Sequence, residues 1–152
     1  MFKILEDDLS GEQSRALLAL HLAGMHANSP PGSVFALDLS GLEVPEVSVW
    51  SAWYNGQIAS IGALKMLDAE NAEIKSMRTH PDFLRMGAGA AILEQIIATA
   101  KARGVRRLSL ETGSGPAFEP ALALYRRRGF TNGAPFSDYE QSNFNQFLHL
   151  HL

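Results

Sequence analysis

Glycines at 87 and 89, with alanines at 88, 90 and 91, put small residues where a polar turn enters a helix. Small side chains let ligand atoms reach the main chain there, and the unpaired N–H groups of a first helical turn, at the positive end of the helix dipole, favour an anion. The stretch reads as a phosphate cradle. A nucleoside-triphosphate loop needs Lys and then Ser or Thr after its second glycine, and Ala90-Ala91 stand there instead. A dinucleotide fingerprint is the nearer rival, because Glu111 follows near the ~20-residue spacing of a ribose ligand. Against it, Ile92 takes the third-glycine position, and Pro81 to Met86 separate the preceding strand from the first glycine. Two other groups invite chemistry. His149 and His151, at i and i+2, share a strand face and could hold a metal, but no further ligands follow at metal spacing, and a half-exposed strand accounts for them. His26 and Ser29 fall in a segment with Pro30-Pro31-Gly32, where turn chemistry explains them.

Around the cradle the residues form two blocks. Met77-x-Thr79-x-Pro81, then Leu84-Arg85-Met86-Gly87-Ala88-Gly89 and an amphipathic helix, resembles the acetyl-CoA loop of the GNAT superfamily of N-acetyltransferases. Ala121-Leu122-Ala123-Leu124-Tyr125-Arg126-Arg127-Arg128-Gly129-Phe130 resembles the A-x-x-L-Y-x-x-x-G-F helix that follows the fifth strand in that family. Leu108 to Ser114 and Ser29-Pro30-Pro31 look most like small bacterial acetyltransferases of the YsnE type. The resemblance implies an α/β (α+β) fold: a mixed, largely antiparallel sheet with helices on both faces, strands four and five splayed to admit acetyl-CoA. It implies cofactor contacts at the main chain of Met77 and Thr79 and along Arg85, Met86, Gly87, Ala88, Gly89 and Ala90. One departure is Leu84, where the family usually has Gln or Arg; a side-chain contact to phosphate from that position is lost.

The chemistry so implied is direct attack by a neutral amine on the thioester carbonyl, with loss of CoA thiolate. A carboxylate must take the amine's proton, directly or through water, and Glu73 and Glu111 are the two candidates. The main-chain N–H of Met77 is placed to meet the oxyanion. Tyr125 matches the family's general-acid tyrosine. Arg126, Arg127 and Arg128 could approach the CoA phosphates, although cations in a last helical turn also answer the helix dipole. The acceptor is an amine of a small molecule, an amino acid or a peptide. A reading of another class keeps the cradle without the chemistry, as an acyl-CoA-binding or regulatory module.

The elements that must position these groups follow from periodicity. Phe2 to Glu6 reads as a first strand, and Ser10 with Gln13 is a capping-box signature before a helix running to Met25. Val47 to Trp53 alternates and meets Asn55-Gly56, a hairpin turn, so strands two and three follow. Trp50 and Trp53, an odd spacing apart, face opposite sides. The fourth strand spans Glu73 to Thr79, with Glu73, Lys75, Met77 and Thr79 on one face. A helix follows the cradle, its face made by Leu93, Ile96, Ile97 and Ala100 and its end marked by Lys101, Arg103 and Gly104. Val105 to Glu111 is the fifth strand. Asn145 to Leu152 is the last, its leucines inward and its edge free to pair with a second copy as a homodimer.

Composition sets the outer bounds. The 152 residues, 46% hydrophobic, fit one globular domain over 1–152. A net charge of −3 gives no argument for nucleic acid or an anionic membrane. With no cysteine, disulfides, thiol nucleophiles and thiolate metal sites are excluded. Acidic residues in MFKILEDDLS and the lack of any ~18-residue apolar run suit a soluble, cytoplasmic chain.

Overall fold

Asn55 at φ 48° and Gly56 at φ 76° make the tight turn between β2 (Val47–Tyr54) and β3 (Gln57–Met66), the hairpin around which the sheet grows. The structure is a computed structural model describing residues 1–152. β1 (Lys3–Glu6) pairs with β2, and β4 (Asn71–Thr79) pairs with β3, all antiparallel. β5 (Arg107–Thr112) joins β4 in parallel, and β7 (Gln146–His151) and the two-residue β6 (Thr131–Asn132) complete the order β1-β2-β3-β4-β5-β7-β6.

The sheet is buried on both sides. On one face lie α1 (Glu12–Asn28) and the short α2 (Leu39–Leu42), whose Leu17, Leu18 and Leu42 pack on Val49, Ile58, Ile61 and Ala63. On the other lie α3 (Ala88–Ala102) and α4 (Glu119–Arg128), where Ile92, Leu93, Ile96, Ile97, Leu122 and Tyr125 meet Trp50, Leu64, Ile74, Leu108, Leu110 and Leu148. Trp50 and Trp53 do take opposite faces, one in each cluster. Arg128 of α4 is tied to Glu94 of α3 at 2.6 Å.

Several local expectations need correction. Ser10 does not cap α1; Gly11 holds that place, and Ser10 bonds Asp8 instead. Gln13 is turned outward to clamp the hairpin, donating to Gly56 O and accepting from Ile58 N, each at 2.9 Å. α1 runs on to Asn28, since nothing before Pro30 removes a helical N–H. β7 is not a free edge, because β6 covers it at Leu148 and His149. Nor is His149 half-exposed: it is buried, with its ring nitrogens against Ser109 Oγ at 2.7 Å and Ala134 O at 2.8 Å. The segment from Ala134 to Tyr139 folds over this face and covers it with Phe136 and Tyr139.

The fourth strand departs from simple alternation. Ile61 faces Arg78 and Ala63 faces Lys75, so two residues of β3 span three of β4, and Ser76 carries the extra step at φ 58°. This is a β-bulge, and it exchanges the faces of everything beyond it. Glu73, Lys75 and Arg78 share the α1 face, while the Met77 sulfur packs over Gly62 beside Ile92 and Thr79 lies against Gly89, both on the α3 face. The expected single row of Glu73, Lys75, Met77 and Thr79 is therefore split in two.

Candidate active site

A helix cannot satisfy its own first N–H groups, and here nothing else does. From Arg85 to Ala90 no main-chain N–H finds an acceptor in the protein; the first that does is Ala91, bonded to Gly87 O at 3.0 Å. Arg85 at φ 62° and Gly87 at φ 87° bend this run into a concave turn capping α3. A side chain at Gly89 would press on Thr79 Oγ1 at 3.1 Å, so the glycine lets the helix start sit close to the end of β4. Leu84 and Met86 are exposed at the rim.

β4 and β5 stay paired only at Asn71–Arg107, Ala72–Leu108 and Glu73–Ser109, and beyond that point each strand runs on without the other. The bond from His80 N to Ala59 O at 2.8 Å fixes the phase of the β3–β4 ladder, so that the N–H of Thr79 points away from β3 toward this gap. The gap leads to the cradle at the start of α3. A strand edge offering main-chain groups, followed by a helix N-terminus offering more, can hold a long chain of amides ending in phosphates.

On the α1 face of the gap the charged groups converge. Tyr139 Oη donates to Glu73 Oε2 at 2.5 Å, and Lys75 Nζ lies 2.8 Å from that hydroxyl and 3.3 Å from the same carboxylate oxygen. Phe35, Phe136 and Phe147 box the Tyr139 ring. Burial, and then the charge and hydrogen bond of Glu73, raise the Tyr139 hydroxyl, which keeps its proton as a donor. Glu111, two residues beyond the pairing of Glu73 with Ser109, shares this face and makes no side-chain hydrogen bond. Burial pushes its carboxyl up to about 7, with Lys75 opposing the rise and Glu73 adding to it. The two glutamates are therefore unlike: Glu73 is occupied by two donors, and Glu111 is free and set to exchange a proton near neutrality.

Tyr125 stands on the opposite face, in the core beneath α4 against Phe130 at 5.7 Å between ring centroids. It is 5% exposed, its hydroxyl bonds nothing in the protein, and burial raises it so that it stays protonated. Of the arginines after it, Arg126 bonds Asn132 at 3.0 Å and Arg128 pairs with Glu94; only Arg127 is uncommitted. Sequence reasoning misses Tyr139 and Lys75 as site groups. Lys75 falls in the fourth strand, but Tyr139 sits in an irregular segment without periodicity, 66 residues from its partner Glu73.

Comparison with known proteins gives the family and the fold. Residues 14–130 match the model of the acetyltransferase (GNAT) family. A protein of Escherichia coli K12 named as an uncharacterized N-acetyltransferase, YedL, is 45% identical over 152 residues, covering 100% of this chain and 96% of that one. YsnE of Bacillus subtilis, named likewise, is 47% identical over 142 residues, covering 93% and 94%. Among solved structures, an acyl-CoA N-acyltransferase of Klebsiella pneumoniae superposes with a TM-score of 0.85 at 25% identity, covering 100% of this chain and 98% of that one. A GNAT acetyltransferase of Elizabethkingia anophelis with acetyl-CoA bound superposes at 0.72 with 21% identity, covering 99% and 98%.

Proposed function

The chain belongs to the acetyltransferase (GNAT) family, whose members transfer acetyl from acetyl-CoA to an amine, and on that premise we propose that it acetylates a primary amine of a small-molecule or amino-acid acceptor by direct attack, with Glu111 as base and Tyr125 as acid. What supports this reading is that Glu111 lies on β5 two residues past its last pairing with β4, on the α1 face of the sheet, while Tyr125 lies in the core on the opposite face. A thioester lying in the gap has its carbonyl reached from one side and its sulfur leaving on the other. The Elizabethkingia neighbour, of the same fold and with acetyl-CoA bound, supports acetyl-CoA as the co-substrate.

In the reaction the acceptor enters on the α1 face as an ammonium and gives one proton to Glu111, directly or through one water. The neutral amine nitrogen then forms a bond to the thioester carbon and sheds its second proton to solvent as the amide forms. The oxyanion is met by main-chain N–H at Met77, and as the carbon–sulfur bond breaks the thiolate takes the Tyr125 proton. Glu73 acts through Lys75 and Tyr139: it holds the ammonium and the phenol beside Glu111 and so sets the charge that Glu111 experiences. Pyrophosphate and pantetheine are held by main-chain groups from Thr79 through Ala90, with Arg85 as the side-chain cation at the mouth of the loop.

Thiol release from acetyl-CoA with a panel of amines tests this, run for wild type, Glu111→Gln, Tyr125→Phe and Glu73→Gln, with acetyl-CoA binding measured separately. Turnover should collapse in Glu111→Gln with acetyl-CoA affinity intact. Full activity in Glu111→Gln, or acetyl-CoA binding without acetylation of any amine by wild type, would overturn the assignment.

A further inference from the structure

Arg78 is a cation without a counter-ion. The bulge at Ser76 turns it onto the α1 face, in the row of Glu73 and Lys75, two ladder steps beyond Lys75. Lys75 has its carboxylate in Glu73. Arg78 has none: its Nε donates to His21 Nδ1 at 3.1 Å and its Nη2 to His21 O at 3.3 Å, both neutral acceptors, and Nη1 has no partner in the protein. A guanidinium partly out of water normally recruits an acid, since its desolvation is otherwise uncompensated.

The protein is built to receive this side chain. His21 is buried, and its burial, then the nearby Arg78 and Lys75, lower its imidazole to about 4, so it stays a neutral acceptor that aims the guanidinium without cancelling its charge. Gly24, one helical turn on in α1, faces the same group: a Cβ there would lie 2.8 Å from Nη2. A glycine inside a helix costs about 1 kcal/mol relative to alanine, and here it makes room for a charge.

We propose that Arg78 binds a carboxylate on the acceptor, so that the substrate of this site is an amino-carboxylate, a free amino acid or a close analogue, with its amine toward Glu111. This rests on the reading of the gap as an acetyltransferase site. One unpaired cation balances one negative charge, and a planar guanidinium with a free edge matches a carboxylate fork. Two ladder steps separate Lys75 from Arg78, roughly 7 Å along the strand. Lys75 is near enough to Glu111 to oppose the rise of its carboxyl, so Arg78 and Glu111 serve the same face of the gap.

The test compares each standard amino acid with its α-carboxamide and with an aminoalkyl phosphate of matched length, in wild type, Arg78→Gln and Arg78→Lys. Wild type should prefer the carboxylate over the carboxamide by at least tenfold in kcat/KM. Arg78→Gln should abolish that preference, chiefly through KM, while acetyl-CoA affinity and melting temperature hold, and Arg78→Lys should restore part of it. Equal loss toward both acceptors in Arg78→Gln, or a wild-type preference for the carboxamide or the phosphate, would overturn it. Calorimetric binding of the amino acids to Glu111→Gln, with and without Arg78→Gln, reads the anion site without turnover. Arg78-dependent binding in an enzyme that acetylates nothing would keep this site and remove the catalytic assignment, whereas absence of any Arg78-dependent binding would remove this site alone.

Discussion

At the scale of single residues the site depends on making two carboxylates different. Glu73 and Glu111 are equivalent in sequence, one on each of two neighbouring strands, and only the fold separates them: Tyr139 and Lys75 occupy Glu73, whereas Glu111 has no hydrogen-bond donor and its burial outweighs the opposing charge of Lys75. A base must be deprotonated to work, so kcat/KM should rise with pH through about 7 and level above it. In Glu111→Gln that limb should vanish and kcat/KM fall by ~100-fold or more; a pH profile unchanged in shape would assign the limb to another group. The same burial has a cost in stability. Because the folded carboxyl binds its proton more tightly than the unfolded one, whose value is 4.5, stability falls as pH rises from there through about 7. Glu111→Gln should therefore melt higher than wild type at pH 8 and lose that advantage below pH 4, by an amount on the order of 2 kcal/mol, and melting curves at the two pH values check it. None of this was legible in the sequence, where Tyr139 offers no spacing that links it to Glu73 or Lys75.

At the scale of elements the sequence announces itself well where periodicity is unbroken, as in the Asn55-Gly56 hairpin and the apolar face of α3. It fails at Ser76. A bulge is signalled most clearly by glycine at positive φ, and a serine in the middle of a strand-like run hides it, so the row from Glu73 to Thr79 reads as one face when it is two. The consequence is functional: without the bulge, Arg78 would point into the α3 core and Thr79 away from the cradle. Ser76 holds φ 58° and buries a hydroxyl that has no hydrogen-bond partner. Ser76→Gly relieves both at the expense of chain entropy in the unfolded state, and should raise stability by about 1 kcal/mol; a urea midpoint that falls would show the hydroxyl to be satisfied. At the cradle the sign reverses. Gly87 at φ 87° has open space around it, so Gly87→Ala suffers only backbone strain, of ~1 kcal/mol, but any relaxation turns the free N–H groups of Arg85 to Ala90 away from their common focus. The expected result is a tenfold or greater rise in KM for acetyl-CoA with little change in that for the amine.

At the scale of the whole molecule the sheet is two parts joined at a seam. β1 to β4 form one antiparallel run and β5, β7 and β6 another, and between them the ladder holds only from Asn71–Arg107 to Glu73–Ser109. Past that seam the two halves are held by the helices packed beneath and by the Glu73–Tyr139–Lys75 cluster above, not by main-chain bonds. A ligand that fills the gap should supply the missing ladder. Acetyl-CoA at 100 times its Kd should stabilise the fold by about 2.7 kcal/mol, and the added protection should not be confined to its phosphate end. Amide hydrogen exchange should slow on both rims, at Met77 to Thr79 and at Glu111 to Thr112, together with Arg85 to Ala90. CoA fragments carrying only the adenosine phosphates should protect the cradle and leave the rims unchanged. If the intact cofactor protects the cradle alone, its pantetheine does not lie between the strands, and the opposed placement of Glu111 and Tyr125 has no thioester between it to act on.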